Sequence, residues 1–195
     1  EAGGYDVFYL VRHKEQADNR HIYWNPDDEE IDTEALTKAN PEIVIHLAGS
    51  SISKRWTKKY KNYMLSNRAK SARTLSKALA GMKKKPDCLI VASAIGFYGD
   101  RGDKVVTESS RAGGGFPAEL CKKLEKETQP AEEAGIRTCH ARFGVVLGFG
   151  GAIKQMLPAF KCGLGGPLGD GKQFMSWIAL DDAVYALHHI MHTPD

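Results

Sequence analysis

Long hydrophobic runs, paired cysteines and the common catalytic signatures are all missing from this chain of 195 residues. No apolar stretch approaches the ~20 residues needed to cross a bilayer, so no helical membrane span is expected. The four cysteines, Cys88, Cys121, Cys139 and Cys162, lie far apart and form no C-x-x-C. That spacing suits reduced thiols in an intracellular protein better than a disulfide framework or a zinc site. The opening Glu1-Ala2-Gly3-Gly4-Tyr5-Asp6 carries no signal-peptide pattern, and a cytoplasmic location is expected. G-x-S-x-G, the P-loop and H-E-x-x-H are absent, so none of these motifs points to a site. His188 and His192 stand four residues apart on an expected helix, but no third ligand has fitting spacing, so no metal is assigned. Acids are missing from one long stretch: residues 53–85 hold twelve Lys or Arg and no Asp or Glu, whereas 27–34 is acidic. A basic stretch of this kind could meet nucleic acid. Its lysines spread around the expected helix and form no single stripe, which is the pattern of a solvated face, and no nucleic-acid partner is assigned.

What is present is the composition of a globular protein, 42% hydrophobic and 26% charged, at a length that fits one domain over 1–195 with a real core. Apolar, β-branched segments predict strands at 5–11, 21–24, 42–48, 87–93 and 136–147. Between them, helices are expected at 33–39, 57–80, 116–134, 152–162 and 181–192, with Asn40-Pro41, Gly81 and Gly135 as stops. Alternation of this kind predicts an α/β fold with a parallel sheet and helices on both faces. Ligands of such sheets bind at the carboxyl ends of the strands. Four strand ends carry suggestive chemistry.

Val11-Arg12 ends the first strand. In a dinucleotide-binding sheet this place meets the adenosine ribose, where a cation accommodates a 2′-phosphate; the plain alternative is a solvated arginine. His46-Leu47-Ala48-Gly49 ends the next buried strand with small residues, against which a flat ligand can lie, though such residues also suit close packing of a helix on a strand. Arg68, on the helix that follows, is expected to face back toward that strand end. Ser93-Ala94 ends another strand, and Ser93 with Tyr98 could form a hydroxyl pair that polarises a carbonyl; equally, Ser93 could bond backbone. Gly144-Val145-Val146 opens a segment with nine glycines between Gly144 and Gly171, a density that lets backbone approach a ligand or turn sharply beside one.

Several segments together resemble one family. HLAG at 46–49, RW at 55–56, NR at 67–68, SAIGFYGDRGD at 93–103, VTE at 106–108, RFGVVLG at 142–148 and GLGGPLGDGKQFMSWIALDDA at 163–183 are similar to the atypical extended short-chain dehydrogenase/reductases labelled "epimerase family protein", once called cell-division-inhibitor-like. The resemblance covers essentially the whole chain, and its last segment is highly specific. It implies a Rossmann-type three-layer sandwich that binds NADP(H), with NAD(H) as the second choice, and a small-molecule substrate of unknown identity. Carried over by position, Val11 and Arg12 would meet the adenosine 2′-phosphate. Leu47, Ala48 and Gly49 would line the adenine and ribose side with Arg68 near them. Ser93, Ala94, Gly144, Val145 and Val146 would lie along the nicotinamide.

The chain departs from the pattern in places. The resemblance puts a first strand with a glycine-rich phosphate loop before Glu1 and a substrate-side segment after Asp195. The expected fold is therefore a fragment, its parallel sheet incomplete: the strands at 5–11 and 42–48 should either leave a gap or close onto each other. Ordinary short-chain dehydrogenases use Tyr-x-x-x-Lys on the helix that begins near Phe116; here that stretch is Phe116-Pro117-Ala118-Glu119-Leu120-Cys121, and no catalytic residue is assigned. Ala179 stands where related proteins carry His in S-W-I-H-I-D-D. Two readings stay open: an oxidoreductase or epimerase of unknown substrate, and a catalytically silent dinucleotide-binding sensor or partner-binding module.

Overall fold

The computed structural model describes residues 3–167 and 169–193; Leu168 of the glycine-rich segment lies outside the described residues, as do Glu1, Ala2, Pro194 and Asp195. The chain divides into two compact units, Glu1–Val91 with Lys122–Cys139, and Ala92–Cys121 with His140–Asp195.

In the first unit, β1 (Tyr9–Val11) lies parallel to β2 (His21–Asn25), with Tyr9 opposite His21. A tight turn then brings β3 (Glu30–Ile31) antiparallel to β2. Helix α1 (Thr33–Ala39) starts where Asp32 accepts a 2.8 Å hydrogen bond from the Ala35 amide. It ends at Asn40, a left-handed residue whose N–H reaches back to Leu36 and Thr37. Strand β4 (Ile43–His46) follows and pairs in parallel with β5 (Cys88–Ala94), Ile43 opposite Cys88. The long α2 (Lys58–Gly81), capped by Thr57, connects them. β6 (Arg137–Phe143) lies on the other side of β5. Among the described residues no ladder joins β1 to β4, and Tyr9 and Ile45 on these strands stay 49% and 40% exposed.

The core of this unit follows from two periods. Ile22 and Trp24 are buried on alternate positions of β2 while their neighbours are not. Ala72, Leu75, Leu79 and Met82 form the buried stripe of α2 and its end. They close on Leu36, Leu89, Val91, Leu124 and Ile136.

In the second unit, β7 (Val145–Leu147) pairs in parallel with β8 (Trp177–Ala179). Helices α5 (Gly151–Lys161) and α6 (Leu180–His192) follow these strands. Residues 95–98 form a short 3-10 turn after β5.

Three expected elements differ from the fold, each for an identifiable reason. The strand expected at 5–11 begins at Tyr9, because its partner begins only at His21, where Asp18 takes the Arg20 and His21 amides. The helix expected at 116–134 is two helices, α3 (Phe116–Lys126) and α4 (Gln129–Glu133). Pro130 has no N–H to return to Lys126 and starts a new helix; the buried Thr128 hydroxyl donates to Glu125 O at 2.6 Å across the break. The strand expected at 136–147 changes sheets at Gly144. A Cβ there would stand 2.7 Å from Ser176 O, the atom that accepts the Val145 amide. β3 and β8, of two and three residues, were not expected at all.

The segregated charges meet within the first unit. Arg73 of α2 forks onto Glu127 at 2.6 and 3.0 Å and reaches Glu29 at 3.4 Å. Lys123 adds a contact to Glu127 at 2.8 Å, and Lys70 donates to Asp27 O at 2.6 Å. Hydrogen bonding from Arg73 holds the Glu127 carboxyl down to about 2, against an ordinary value of 4.5. This depressed group stabilises the fold above pH 4.5 and loses its contribution as pH falls toward 2. Glu127→Gln should lower unfolding free energy at pH 7 by roughly 2–3 kcal/mol in urea titrations. The gap to the parent should narrow steadily below pH 4.5.

Candidate functional site

The candidate residues of the first unit sit at the carboxyl ends of β1 and β4. Val11 is the last residue of β1, and Arg12 follows it into solvent. The Arg12 guanidinium pairs with Asp27 and lies 3.4 Å from Asn25 Oδ1. Both members of the Arg12–Asp27 pair are nearly half exposed, which makes it a weak pair, worth at most about 1 kcal/mol.

Leu47, Ala48 and Gly49 run on from β4 with their surfaces exposed. Beneath them lies Arg68, as its place on α2 led us to expect. A Cβ on Gly49 would stand 3.0 Å from the Arg68 guanidinium, a close approach that would press on the end of that side chain. Arg68 Nη2 donates to Ser50 O at 3.2 Å, and the neighbouring Asn67 accepts the Ser50 amide at 3.0 Å. Residues 67 and 68 thus clamp both polar groups of one peptide stretch. The result is a bare, flat backbone shelf with a planar cation under it, at the place where parallel sheets receive ligands.

His46, just before the shelf, is buried. Its ring meets Trp24 edge-on, and Nε2 lies 3.2 Å from Ser71 Oγ. Ser71 directs its own proton to Arg68 O at 3.0 Å, so His46 Nε2 is the donor of that pair. Burial, with help from the Arg68 charge, pushes the imidazole down to about 4. The ring is neutral at physiological pH and serves as a spacer between core and shelf.

The candidates of the second unit are Ser93 and Ala94 at the end of β5, and Gly144, Val145 and Val146 at the start of β7. Ser93 is buried; the other four are half-buried. The expected Ser93–Tyr98 hydroxyl pair is not the contact that defines Tyr98. Its hydroxyl accepts from Arg142 Nη1 at 3.0 Å, and the same guanidinium lies 3.5 Å over the Phe97 ring. Arg101 holds the other side, donating to Tyr98 O at 2.8 Å and Arg111 O at 2.6 Å. Gly99 has φ +65, and a Cβ there would stand 3.1 Å from Gly114 O, inside ordinary van der Waals contact. Arg142, Arg101 and Asn67 were quoted in sequence segments without a role. The signal for Asn67 was its adjacency to Arg68; for Arg142 it was its place near the end of an expected strand, before Gly144.

Elsewhere in the first unit an open cleft of about 820 Å³ is lined by residues including Lys14, Tyr23, Glu29, Asp32, Thr74 and Lys77, and by none of the candidates. Among the described residues no group of three His, Cys, Asp or Glu could hold a metal, and no helix is long and apolar enough to cross a membrane.

Comparison with known proteins gives a consistent result. The sequence model of the NAD dependent epimerase/dehydratase family matches residues 1–195. An epimerase family protein of Mycobacterium bovis is 40% identical over all of this chain, and the chain spans 64% of that relative's length. Epimerase family protein YfhF of Bacillus subtilis is 36% identical over 95% of the chain and 62% of its own length. Among solved structures, a nucleoside-diphosphate sugar epimerase from Corynebacterium glutamicum superposes with a TM-score of 0.83 at 32% identity, over 97% of this chain and 39% of that one. The human epimerase family protein SDR39U1 (isoform 2), solved with NADPH, superposes with a TM-score of 0.82 at 26% identity, over 99% of this chain and 64% of that one. The α/β fold expected from the sequence, of the Rossmann type, is the fold of these neighbours.

His46 gives a pH dependence whose sign is fixed. Its folded value, about 4, lies below the ordinary 6.5, so the unfolded chain binds the proton first. Stability is fully present above pH 6.5 and falls as pH drops toward 4, by up to about 3 kcal/mol. Urea unfolding at pH 7.5 and 5 should show this loss in the parent and a clearly smaller one in His46→Gln.

Proposed function

The chain belongs to the NAD dependent epimerase/dehydratase family, and we propose that it is an NADP(H)-binding protein of the atypical short-chain dehydrogenase/reductase type, an oxidoreductase or epimerase in reaction class, with residues 1–195 acting as one dinucleotide-binding domain. The observation that carries this reading is the pair of strand ends in the first unit. Arg12 offers a planar cation at the end of β1, and Gly49 leaves an open shelf over Arg68 at the end of β4. In this reading Val11 and Arg12 receive the 2′-phosphate, and Leu47, Ala48 and Gly49 receive adenine and ribose with Arg68 behind them. Ser93, Ala94, Gly144, Val145 and Val146 serve the nicotinamide side. NADPH in the human relative supports the choice of NADP(H), and the sugar epimerase from Corynebacterium supports a polar, sugar-like substrate class.

The residues present fit such a cofactor in two ways. A Cβ at Gly49 would crowd the Arg68 guanidinium, and its absence keeps the backbone open there. The Arg12–Asp27 pair is exposed and weak, so the guanidinium can turn to a phosphate at small cost. Losing a charge-assisted contact to that phosphate should remove about 1.5–3 kcal/mol. By calorimetry on the intact protein, Arg12→Glu should weaken NADP(H) at least ~10-fold and leave NAD(H) nearly unchanged. Equal weakening of both cofactors would overturn the assignment.

A second reading, a catalytically silent binding protein, is favoured by α3. Its sequence FPAELCKKLEK has no tyrosine to pass a proton while hydride moves. Carbonyl reduction followed by NADPH absorbance should therefore be undetectable or very slow across a substrate panel. Robust turnover that Tyr98→Phe abolishes would reject the silent reading and assign the proton to the phenol beside Arg142.

A further inference from the structure

The open cleft of about 820 Å³ in the first unit lies at the edge of a sheet. In the order β1-β2-β3, β3 is the last strand, and among the described residues no strand pairs with its far side. The lining of the cleft comes from both faces of that sheet. Ile31 lies opposite Trp24 and packs against the core. Tyr23 and Glu30 stand on the other face, where the Tyr23 hydroxyl lies 3.5 Å from a Glu30 oxygen. One cleft meets both faces only where the sheet ends.

The backbone at this edge is turned outward. The Asp32 amide bonds Tyr23 O at 2.9 Å, which makes the neighbouring Trp24–Ile31 pair a non-hydrogen-bonded one. The N–H and C=O of Ile31 therefore point away from β2, to the open side. The edge is held in shape by its flanks. Glu29 sits in the left-handed region, φ 57, with its carboxylate 3.4 Å from Arg73, and Asp32 caps α1. In the wall of the cleft, Thr74 of α2 is 4% exposed, and its Oγ1 has no hydrogen-bond partner among the described residues. Buried hydroxyls are ordinarily satisfied, so this one marks a place for a polar group of a ligand.

From this placement we infer that the edge of β3 is a docking site for an extended peptide of a partner protein, taken up as an added antiparallel strand with the sequence basic–threonine–basic. Added strands gain affinity from main-chain bonds and specificity from alternate side chains. The middle residue pairs with Ile31 and exchanges both backbone bonds with it. It shares the face of Ile31, Ala78 and Thr74; its methyl suits the apolar wall and its hydroxyl the orphaned Thr74 Oγ1. The residues on either side face Glu30 and Asp32, so they are basic. Lys14, 4.8 Å over the Tyr23 ring, and Lys77 also line the cleft, but they belong to its flanks, whereas all three lining acids, Glu29, Glu30 and Asp32, belong to the edge. A second copy of β3 is a poor occupant. Antiparallel pairing about Ile31 would set Glu30 against Asp32, and like charges directly opposite are unfavourable.

The test is a titration of the ¹⁵N-labelled chain with acetyl-Gly-Lys-Thr-Lys-Gly-amide, followed by amide chemical shifts. The amides of Glu30, Ile31, Asp32 and Thr74 should move and saturate with a Kd below ~1 mM. N-methylation of the peptide's threonine, which removes its bond to Ile31 O, should weaken binding at least about fivefold. Glu30→Lys in the protein should weaken it at least about threefold, and its amide spectrum reports whether the fold is kept. Acetyl-Gly-Glu-Thr-Glu-Gly-amide should move none of these signals. Absence of a saturable shift at the edge, equal binding of the N-methylated or the acidic peptide, or an unchanged Kd in Glu30→Lys would overturn the inference. So would concentration-dependent shifts of the same amides without peptide, the sign of a second copy in the cleft. These readouts need neither cofactor nor turnover, so they stand or fall apart from the dinucleotide reading.

Discussion

The register of one helix, α2, is the constraint on which the first unit depends. Successive residues of a helix turn by about 100°, so one helix can serve three directions at once. Ala72, Leu75 and Leu79 face the core. Asn67, Arg68 and Ser71 face the end of β4, where they take the Ser50 amide, the Ser50 carbonyl and the His46 ring. Lys70 and Arg73 face the acids at Asp27, Glu29 and Glu127. A slip of one residue would turn leucines toward the shelf and put arginine in the core. The ion pair of Arg73 with Glu127 fixes that register at a point where both charges are mostly out of water, and a buried charge without its partner is heavily penalised. Geometry at the shelf is thus secured two turns away from it.

The same helix explains the charge pattern. Twelve cations without an acid at 53–85, following an acidic stretch at 27–34, have the outline of a nucleic-acid surface in the sequence. In the fold, part of the basic run is spent on the acidic run and on Glu127. Arg73 pairs with Glu29 and Glu127 and Lys70 meets the Asp27 backbone carbonyl, while the whole chain carries a net charge of +3.

What could be read in advance tracks how local its cause is. The bounds of α1 were legible because a capping aspartate and Asn40-Pro41 write them into adjacent residues. The helix expected at 57–80 is within a residue of α2, because its cap and apolar spacing are local as well. β3 and β8 were invisible, since two or three residues carry no period and are made strands only by a distant partner. Gly144 was noticed as a glycine, but not as the point where the chain leaves one sheet for another, because the reason is Ser176, far along the chain. At the candidate site, Arg12, Gly49 and Arg68 were chosen from strand-end chemistry, and the shelf over Arg68 follows from helix geometry. The Tyr98–Arg142 contact spans 44 residues and no local pattern encodes it; the sequence left Ser93 open between a pair with Tyr98 and a bond to backbone.

The position of Asp27 beside Arg12 bears on cofactor choice in the proposed reading. A strand-end acid accepts the free 2′-hydroxyl of NAD, whereas a strand-end cation takes the 2′-phosphate of NADP. Here both types are paired side by side. A 2′-phosphate must draw the guanidinium away from the carboxylate and then tolerate that carboxylate nearby. A 2′-hydroxyl needs the reverse, with the carboxylate released from the guanidinium. Because the pair is exposed and weak, neither exchange is costly, and the preference reduces to the stronger of the two new contacts. Two charges meeting in a charge-assisted, two-point contact outweigh a single hydroxyl bond, so the cation should decide the preference while the acid keeps the margin modest.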